Sequence, residues 1–129
     1  MDESTEARKT LVVAEDYPDI SQLVADIFRT EGYHVVAVSR GGDVIPAVLK
    51  YHPALVLLDL ALPDMPGNEV LRQLALSPET DKVPVVIISA YTERLRRVPQ
   101  VRAVVTKPFD IDTLLSAARE AQAHRSSAA

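Results

Sequence analysis

Short runs of aliphatic residues alternate with amphipathic segments along almost the whole chain, and this alternation constrains the fold more than any other feature. The runs predict five strands, at residues 10–14, 33–38, 54–58, 83–88 and 102–106. The third run is apolar at every position, which is typical of a strand buried on both faces of a sheet. Strands that alternate with helices favour right-handed crossover connections, and these place the strands in a parallel sheet.

The segments between these runs have the spacing of amphipathic helices. Pro18 begins the first helix and Gly32 ends it. One face of this helix is apolar, and we expect it to be buried through Ile20, Leu23, Val24, Ile27 and Phe28. Asp110 is expected to cap the last helix. The buried stripe of that helix is predicted to contain Ile111, Leu114, Leu115 and Ala118.

Two more helices are predicted between the first and the last. The helix from Gly42 to Tyr51 requires Pro46 to lie in its first turn, because proline is not tolerated further inside a helix. The next helix is marked by Val70, Leu71 and Leu74. The elements together predict an α/β fold of the flavodoxin-like doubly wound kind, with a five-stranded parallel sheet in the order 2-1-3-4-5. We expect one domain at residues 10–124, between tails at 1–9 and 125–129.

Composition excludes several classes of function. The net charge of −4 argues against a nucleic-acid surface, which requires clustered Lys and Arg. The absence of cysteine excludes disulfides, thiolate metal sites and cysteine nucleophiles. The amino terminus is acidic, unlike a signal peptide, and no apolar run is long enough to span a bilayer. We therefore expect a cytoplasmic domain that binds neither nucleic acid nor membrane.

Polar residues follow the predicted strands at their carboxyl ends, where folds of this kind bind their ligands. Glu15 and Asp16 follow the first strand, and Asp59 follows the third. Ser89 ends the fourth strand, and Lys107 follows the fifth. Each residue alone has an ordinary explanation as a cap or a loop residue. Four strand ends with compatible chemistry indicate one site.

The chemistry of this set favours phosphoryl transfer. Crowded carboxylates repel one another, and Mg²⁺ relieves that repulsion while binding water and phosphate oxygens. The ammonium of Lys107 adds positive charge, so that Asp59 stays ionised and nucleophilic. Transfer of a phosphoryl group mainly requires positioning and neutralisation of its oxygens, for which a metal ion, Lys107 and the Ser89 hydroxyl are suited. The pattern therefore predicts an aspartate that accepts a phosphoryl group.

Four short motifs make the resemblance to a known family specific. They are the acidic pair Glu15-Asp16, the run 57–67 around Asp59 with its Leu-Pro-Asp-Met-Pro-Gly end, the pair Ser89-Ala90, and Lys107-Pro108-Phe109. In combination they resemble the response-regulator receiver family of two-component signal transduction, which includes chemotaxis regulators. The resemblance covers the chain from about Thr10 to Gln122.

The resemblance implies a phosphoacceptor and a metal site. Asp59 would be phosphorylated by a histidine kinase or a histidine phosphotransfer protein, with Mg²⁺ as the cofactor. Asp16 and Asp59 would bind the metal directly and Glu15 through water, and the backbone carbonyl of Ala61 would complete the protein ligands. The domain would catalyse only its own phosphorylation and dephosphorylation, and would not be an enzyme acting on a separate substrate.

The resemblance also implies how the phosphoryl group is bound. Ser89 would form a hydrogen bond to the group and switch its rotamer, and Lys107 would pair with it. The small side chain of Ala90 would leave the site open, and the peptide bond before Pro108 would be cis.

Two features depart from the family pattern. Val104 lies three residues before the lysine, where the family usually has Tyr or Phe. The segment from Ser89 to Lys107 is several residues short and contains Pro99, which predicts a shortened fourth helix of about two turns, or one partly unravelled. Because Val104 is small and stiff, Tyr91 is the candidate gate over the phosphoryl site.

Two alternatives stay open. The domain could be a constitutive protein-docking module of receiver fold in which phosphorylation is secondary. The segment Glu93–Arg97, with three arginines, could be a solvated helix face or a docking surface for an acidic partner. Two enzyme or cofactor classes are disfavoured, because Ala61 replaces the second aspartate of haloacid dehalogenases and Glu15-Asp16 would repel a flavin phosphate.

Overall fold

Five strands form one parallel sheet in the computed structural model, which describes the backbone of residues 8–127 and the side chains as far as residue 123. The strands are β1 (Thr10–Ala14), β2 (His34–Val38), β3 (Leu55–Leu58), β4 (Val85–Ser89) and β5 (Val101–Thr106). Their order is β2-β1-β3-β4-β5, and every pair is parallel. The predicted doubly wound sheet is therefore confirmed.

Four α-helices connect or follow these strands. They are α1 (Pro18–Thr30), α2 (Val44–Tyr51), α3 (Gly67–Leu74) and α4 (Ile111–Ser127). The expected tails lie partly outside the described residues, at 1–7 and 128–129, and α4 extends beyond the predicted domain boundary at residue 124. No helix within residues 8–127 is long and apolar enough to cross a membrane.

The connection from β4 to β5 contains no α-helix. It forms one turn of 3-10 helix at Thr92–Arg94, and Leu95 then leaves that turn in an extended conformation. The sequence predicted a shortened helix between β4 and β5. The structure has only a single 3-10 turn there, because few residues are available and Pro99 restricts them further.

The helices cover the sheet in pairs. α1 and α4 pack on one face, around the fully buried Phe28, and α2 and α3 pack on the other. Every residue of β3 and β4 is buried, as expected for central strands covered on both faces. Removal of this aliphatic surface from water is the main stabilising contribution to the fold.

Helix boundaries follow the local signals in the sequence. Pro46 lies in the first turn of α2, where its missing N–H is not needed. The Thr113 N–H donates to the Asp110 side chain at 2.7 Å, which confirms Asp110 as the cap of α4. Gly32 follows α1 with a φ of 97°, a conformation that glycine adopts without strain.

Two residues that the sequence predicted to be buried are exposed, and those predictions were wrong. Leu23 is 49% exposed, because the buried face of α1 is centred near Phe28 and includes the small Ala25, leaving Leu23 far around the helix. Ile111 is 51% exposed, because it is the first residue of α4 and the buried face begins one turn later at Leu114.

Gly67 allows α3 to approach the end of β3 closely. A Cβ atom at this position would lie 2.8 Å from the Asp59 carbonyl oxygen and 2.8 Å from the Leu60 Cα. We expect Gly67→Ala to lower the free energy of unfolding by about 1–3 kcal/mol, because backbone atoms cannot move aside as a side chain can. Urea unfolding monitored by circular dichroism would measure the change.

Gly42→Ala is the matched control. Its added Cβ would lie 3.2 Å from the Asp64 Oδ2, which is a longer approach than at Gly67 and is made to a side chain instead of to backbone. We expect a smaller loss of stability than for Gly67→Ala. Equal losses in the two variants would contradict the proposed role of the close approach.

Candidate functional site

Parallel pairing brings the predicted polar residues to one edge of the sheet. The pairing continues one residue beyond the strands, since the Asp59 N–H donates to the Ala14 carbonyl at 3.0 Å and the Lys107 N–H donates to the Ser89 carbonyl at 2.9 Å. Asp59 and Lys107 are therefore fixed by the sheet itself. Their positions do not depend on the loops that follow them.

The centre of the site is an ammonium group between two carboxylates. The Lys107 Nζ lies 2.6 Å from the Glu15 Oε1 and 2.8 Å from the Asp59 Oδ2. The carboxylate side chains are almost inaccessible, at 0% exposure for Glu15 and 4% for Asp59. Charged groups with so little access to water must be paired, and here the one ammonium forms a hydrogen bond to each carboxylate.

The protonation of this cluster follows from burial and pairing. Burial raises the pKa of Glu15, against the lowering effects of its hydrogen bonds to Lys107 and to the Tyr17 backbone N–H. Burial alone would lower the pKa of Lys107, but the hydrogen bonds to Asp59 and Glu15 outweigh it, and the pKa is raised. Lys107 is therefore held in its charged form.

Asp59 lies at the base of an open cleft of about 400 Å³. Its Oδ1 accepts the Ala61 N–H at 3.1 Å, while its Oδ2 accepts from Lys107, so both oxygens have fixed donors. Asp16, Ala61, Ala90 and Lys107 are among the residues that line the same cleft. The side chain is thus oriented by the protein and accessible from one side only.

Tyr91 forms part of the other wall of the site, and Ser89 lies buried behind it. Ser89 is completely buried, and its Oγ accepts the Tyr91 N–H at 3.0 Å. Tyr91 lines the cleft and is 41% exposed, with the Arg94 guanidinium 4.2 Å from its ring centroid. The candidate gate is thus a partly exposed ring that an arginine covers on one face. The Lys107–Pro108 peptide bond is cis.

The oxygen donors expected for a metal ion lie around one cleft but do not form a closed cluster. Asp16, Asp59 and Ala61 all line it, and carboxylate and carbonyl oxygens are the ligands that Mg²⁺ prefers. Within residues 8–127 no three acidic or histidine side chains lie together in an arrangement that could hold a metal ion. Glu15 is not in the cleft lining and is bonded directly to Lys107. The carboxylates of Asp16 and Asp59 and the backbone of Ala61 supply donors of the chemical type that suits Mg²⁺.

Two contacts of the site were missed by reasoning from the sequence. The Tyr17 ring centroid lies 5.8 Å from the Lys107 Nζ, and Tyr17 lines the cleft. The signal was its position directly after the acidic pair. Asp64 accepts the N–H groups of Gly41 and Gly42 at 2.7 and 2.8 Å, which anchors the loop after Asp59 to the start of α2. These hydrogen bonds lower the pKa of Asp64, chiefly the one from Gly42.

Comparison with known sequences places this site in a family. Residues 11–119 match the family model described as the response regulator receiver domain. Protein Rrf1 of Nitratidesulfovibrio vulgaris is 36% identical over 108 residues, which cover 84% of this chain and 78% of that protein. Sporulation initiation phosphotransferase F of Bacillus subtilis is 33% identical over 116 residues, covering 87% of this chain and 91% of the relative.

Some relatives are longer proteins. The transcriptional regulatory protein KdpE of Mycobacterium tuberculosis is 33% identical over 123 residues, which cover 92% of this chain but only 53% of that protein. The matched part therefore corresponds to about half of that regulator.

Solved structures share the fold. A sensor protein from Polaromonas sp. JS666 has a TM-score of 0.85 at 24% identity, covering 92% of this chain and 98% of that one. The receiver domain of a sensor histidine kinase from Pseudomonas aeruginosa PAO1, solved with a magnesium ion in its active site cleft, has a TM-score of 0.78 at 21% identity and covers 88% of this chain and 98% of that one.

The matched residues 11–119 include all five paired strands except the first residue of β1, together with each polar residue that forms the cleft. The sequence match identifies the family, and the solved structures share the fold. The chain belongs to the response regulator receiver domain family.

Proposed function

We propose that Asp59 accepts a phosphoryl group from a histidine kinase or a histidine phosphotransfer protein in a Mg²⁺-dependent reaction in the cytoplasm. The observation that carries this proposal is the Asp59 carboxylate at the base of an open cleft, held by the Lys107 ammonium and the Ala61 N–H. Receiver domains are phosphoacceptor modules of two-component signalling, and family membership supports this reaction.

The reaction requires one bond to form and one to break. A carboxylate oxygen of Asp59 forms a bond to phosphorus, while the bond from phosphorus to the donor imidazole nitrogen breaks and its electron pair stays on that nitrogen. The product is an acyl phosphate. No separate substrate is turned over, in keeping with receivers as signalling modules that are generally non-catalytic.

The surrounding side chains neutralise and orient the incoming group. The raised pKa of Lys107 keeps its ammonium charged beside the nucleophile. Because the Ser89 Oγ accepts the Tyr91 N–H, its own proton is available for a phosphoryl oxygen. Asp16, Asp59 and the carbonyl of Ala61 would hold Mg²⁺, with Glu15 linked through water. When bound, the ion supplies positive charge for the phosphoryl oxygens.

A constitutive docking module is the alternative, and it is not favoured. A receiver fold used only for docking does not need a partly buried lysine bonded to a buried aspartate in an accessible cleft. Both groups are present here and in contact at 2.8 Å. The name of one relative, sporulation initiation phosphotransferase F, describes phosphoryl transfer, and the match covers 91% of that protein.

The first test is direct labelling of the phosphoacceptor. We expect intact-mass spectrometry to detect one added phosphoryl group after incubation with acetyl phosphate and Mg²⁺, and none for Asp59→Asn or in the presence of EDTA. Asp43→Asn, at an exposed aspartate outside the cleft, is the matched control and should be labelled like the wild type. Equal labelling of Asp59→Asn would contradict the proposal.

Asp16→Ala and Lys107→Ala should fail in different ways. Loss of Asp16 removes a metal ligand, so we expect the apparent Mg²⁺ affinity to fall by about tenfold or more and high Mg²⁺ to restore much of the rate. Loss of Lys107 removes a fixed charge, and we expect about a 100-fold slower phosphorylation that added Mg²⁺ does not restore. Mg²⁺ titrations of the phosphorylation rate would distinguish the two. Equal rescue of both variants would show that one role is misassigned.

Phosphorylation should change order mainly in residues 89–101. This segment contains one 3-10 turn and no α-helix, and its candidate gate is Tyr91, whereas Val104 on β5 is too small and stiff to move as a gate. We expect beryllofluoride, which mimics the phosphoryl group, to slow hydrogen exchange across residues 89–101 with little change at 102–106. Protection gained mainly along 102–106 would indicate another signalling route.

A further inference from the structure

A groove of about 590 Å³ lies between α3 and the segment after the 3-10 turn. Its apolar lining includes Leu71, Leu76 and Val98, and Arg72 and Arg96 lie on its rim. Leu76 is 69% exposed, although it is a large aliphatic residue beside other apolar groups. The phosphoacceptor cleft does not use any of these residues.

The groove exists because one crossover lacks its helix. α1, α2 and α3 follow β1, β2 and β3, whereas β4 is followed by one 3-10 turn and an extended stretch. In an α/β fold each crossover normally covers its part of the sheet with a helix. The surface beside α3 is therefore open where a helix is normally packed.

Asn68 fixes the far wall of the groove. Its side-chain amide donates to the Arg94 carbonyl at 2.7 Å, and its side-chain oxygen accepts the Arg96 N–H at 2.9 Å. Two backbone groups that an added strand could pair with are therefore already bonded to Asn68. An incoming strand is disfavoured for this reason, whereas a helix needs no backbone partners from the groove.

The charges around the groove favour an acidic occupant. Arg96 lines the groove and makes no ion pair with a carboxylate within the described part of the chain. Glu69 and Arg72, which also line it, are bonded to each other at 2.7 Å and cancel each other's charge. The uncompensated charge at the groove is therefore that of Arg96, which is positive in a protein of net charge −4.

We propose that this groove binds a short amphipathic helix of a partner protein, whose apolar face packs on Leu76 and Val98 and whose flanking acidic residues pair with Arg96. Helix-in-groove binding of this kind buries the apolar face and leaves the charges at the rim. The partner takes the place of the helix that the β4–β5 connection lacks.

A designed peptide provides the test. The probe is a fluorescein-labelled peptide of about 15 residues, made of Leu and Glu with the leucines on one helical face. We expect it to bind the protein in fluorescence anisotropy, to bind more weakly as salt screens the charges, and to shift the NMR signals of residues lining the groove. The same peptide with Lys in place of Glu should not bind.

Variants of both walls assign the binding to the groove. Leu76→Glu and Arg96→Glu should each weaken binding by about tenfold or more. Leu49→Glu on α2 and Arg119→Glu on α4, which change exposed residues elsewhere, should bind the peptide like the wild type. Thermal unfolding by circular dichroism checks that each variant is folded, and both wild-type residues at the groove are exposed enough to be replaced.

Several results would overturn the proposal. They are no binding of the Glu peptide, equal binding of the Lys peptide, unchanged affinity in Leu76→Glu and Arg96→Glu, or NMR shifts confined to other surfaces. Sedimentation that shows a wild-type dimer which Leu76→Glu dissociates would assign the groove to a second copy of this chain, and that too would overturn it.

Discussion

The ammonium group of Lys107 lies between two buried carboxylates that belong to different strands. Glu15 follows β1, Asp59 follows β3 and Lys107 follows β5, so one side chain connects three parts of the sheet. In the strand order, β4 lies between β3 and β5, and it ends at the small residue Ser89, which is followed by Ala90. An uncompensated charge at this depth would be strongly unfavourable, so the three groups must be kept together. The site and the arrangement of these three strand ends therefore depend on the same contacts.

Much of the fold could be predicted because parallel sheets permit few topologies. The alternation of strands and helices predicted the strand order, and the rule that ligands bind at carboxyl strand ends selected Asp59, Ser89 and Lys107 for examination. The structure brings Asp59 and Lys107 into direct contact and leaves Ser89 buried behind the cleft. Local signals thus predict which elements form and where they end.

Contacts between distant residues could not be predicted in the same way. The direct bond from Lys107 to Glu15, and the bonds from Asp64 to Gly41 and Gly42, depend on side-chain reach across the assembled fold. The exposure of Leu23 shows the same limit. Helical spacing predicts which side of a helix is apolar, but it does not predict how wide a part of that side the sheet covers. Asn68 forms two hydrogen bonds to the segment that stands in place of the missing helix, and no sequence pattern predicted them.

The contact at Gly67 has a mechanical consequence. With no side chain at this position, the first turn of α3 touches the backbone at Asp59 and Leu60 directly. Side chains absorb small displacements by changing rotamer, whereas a backbone-to-backbone contact is stiff. The Gly67 N–H also donates to the Leu60 carbonyl at 2.8 Å, so the backbone after Asp59 and the start of α3 cannot separate without breaking a hydrogen bond. The position of α3, and of Leu76 just beyond its end, is therefore set by the backbone at the end of β3.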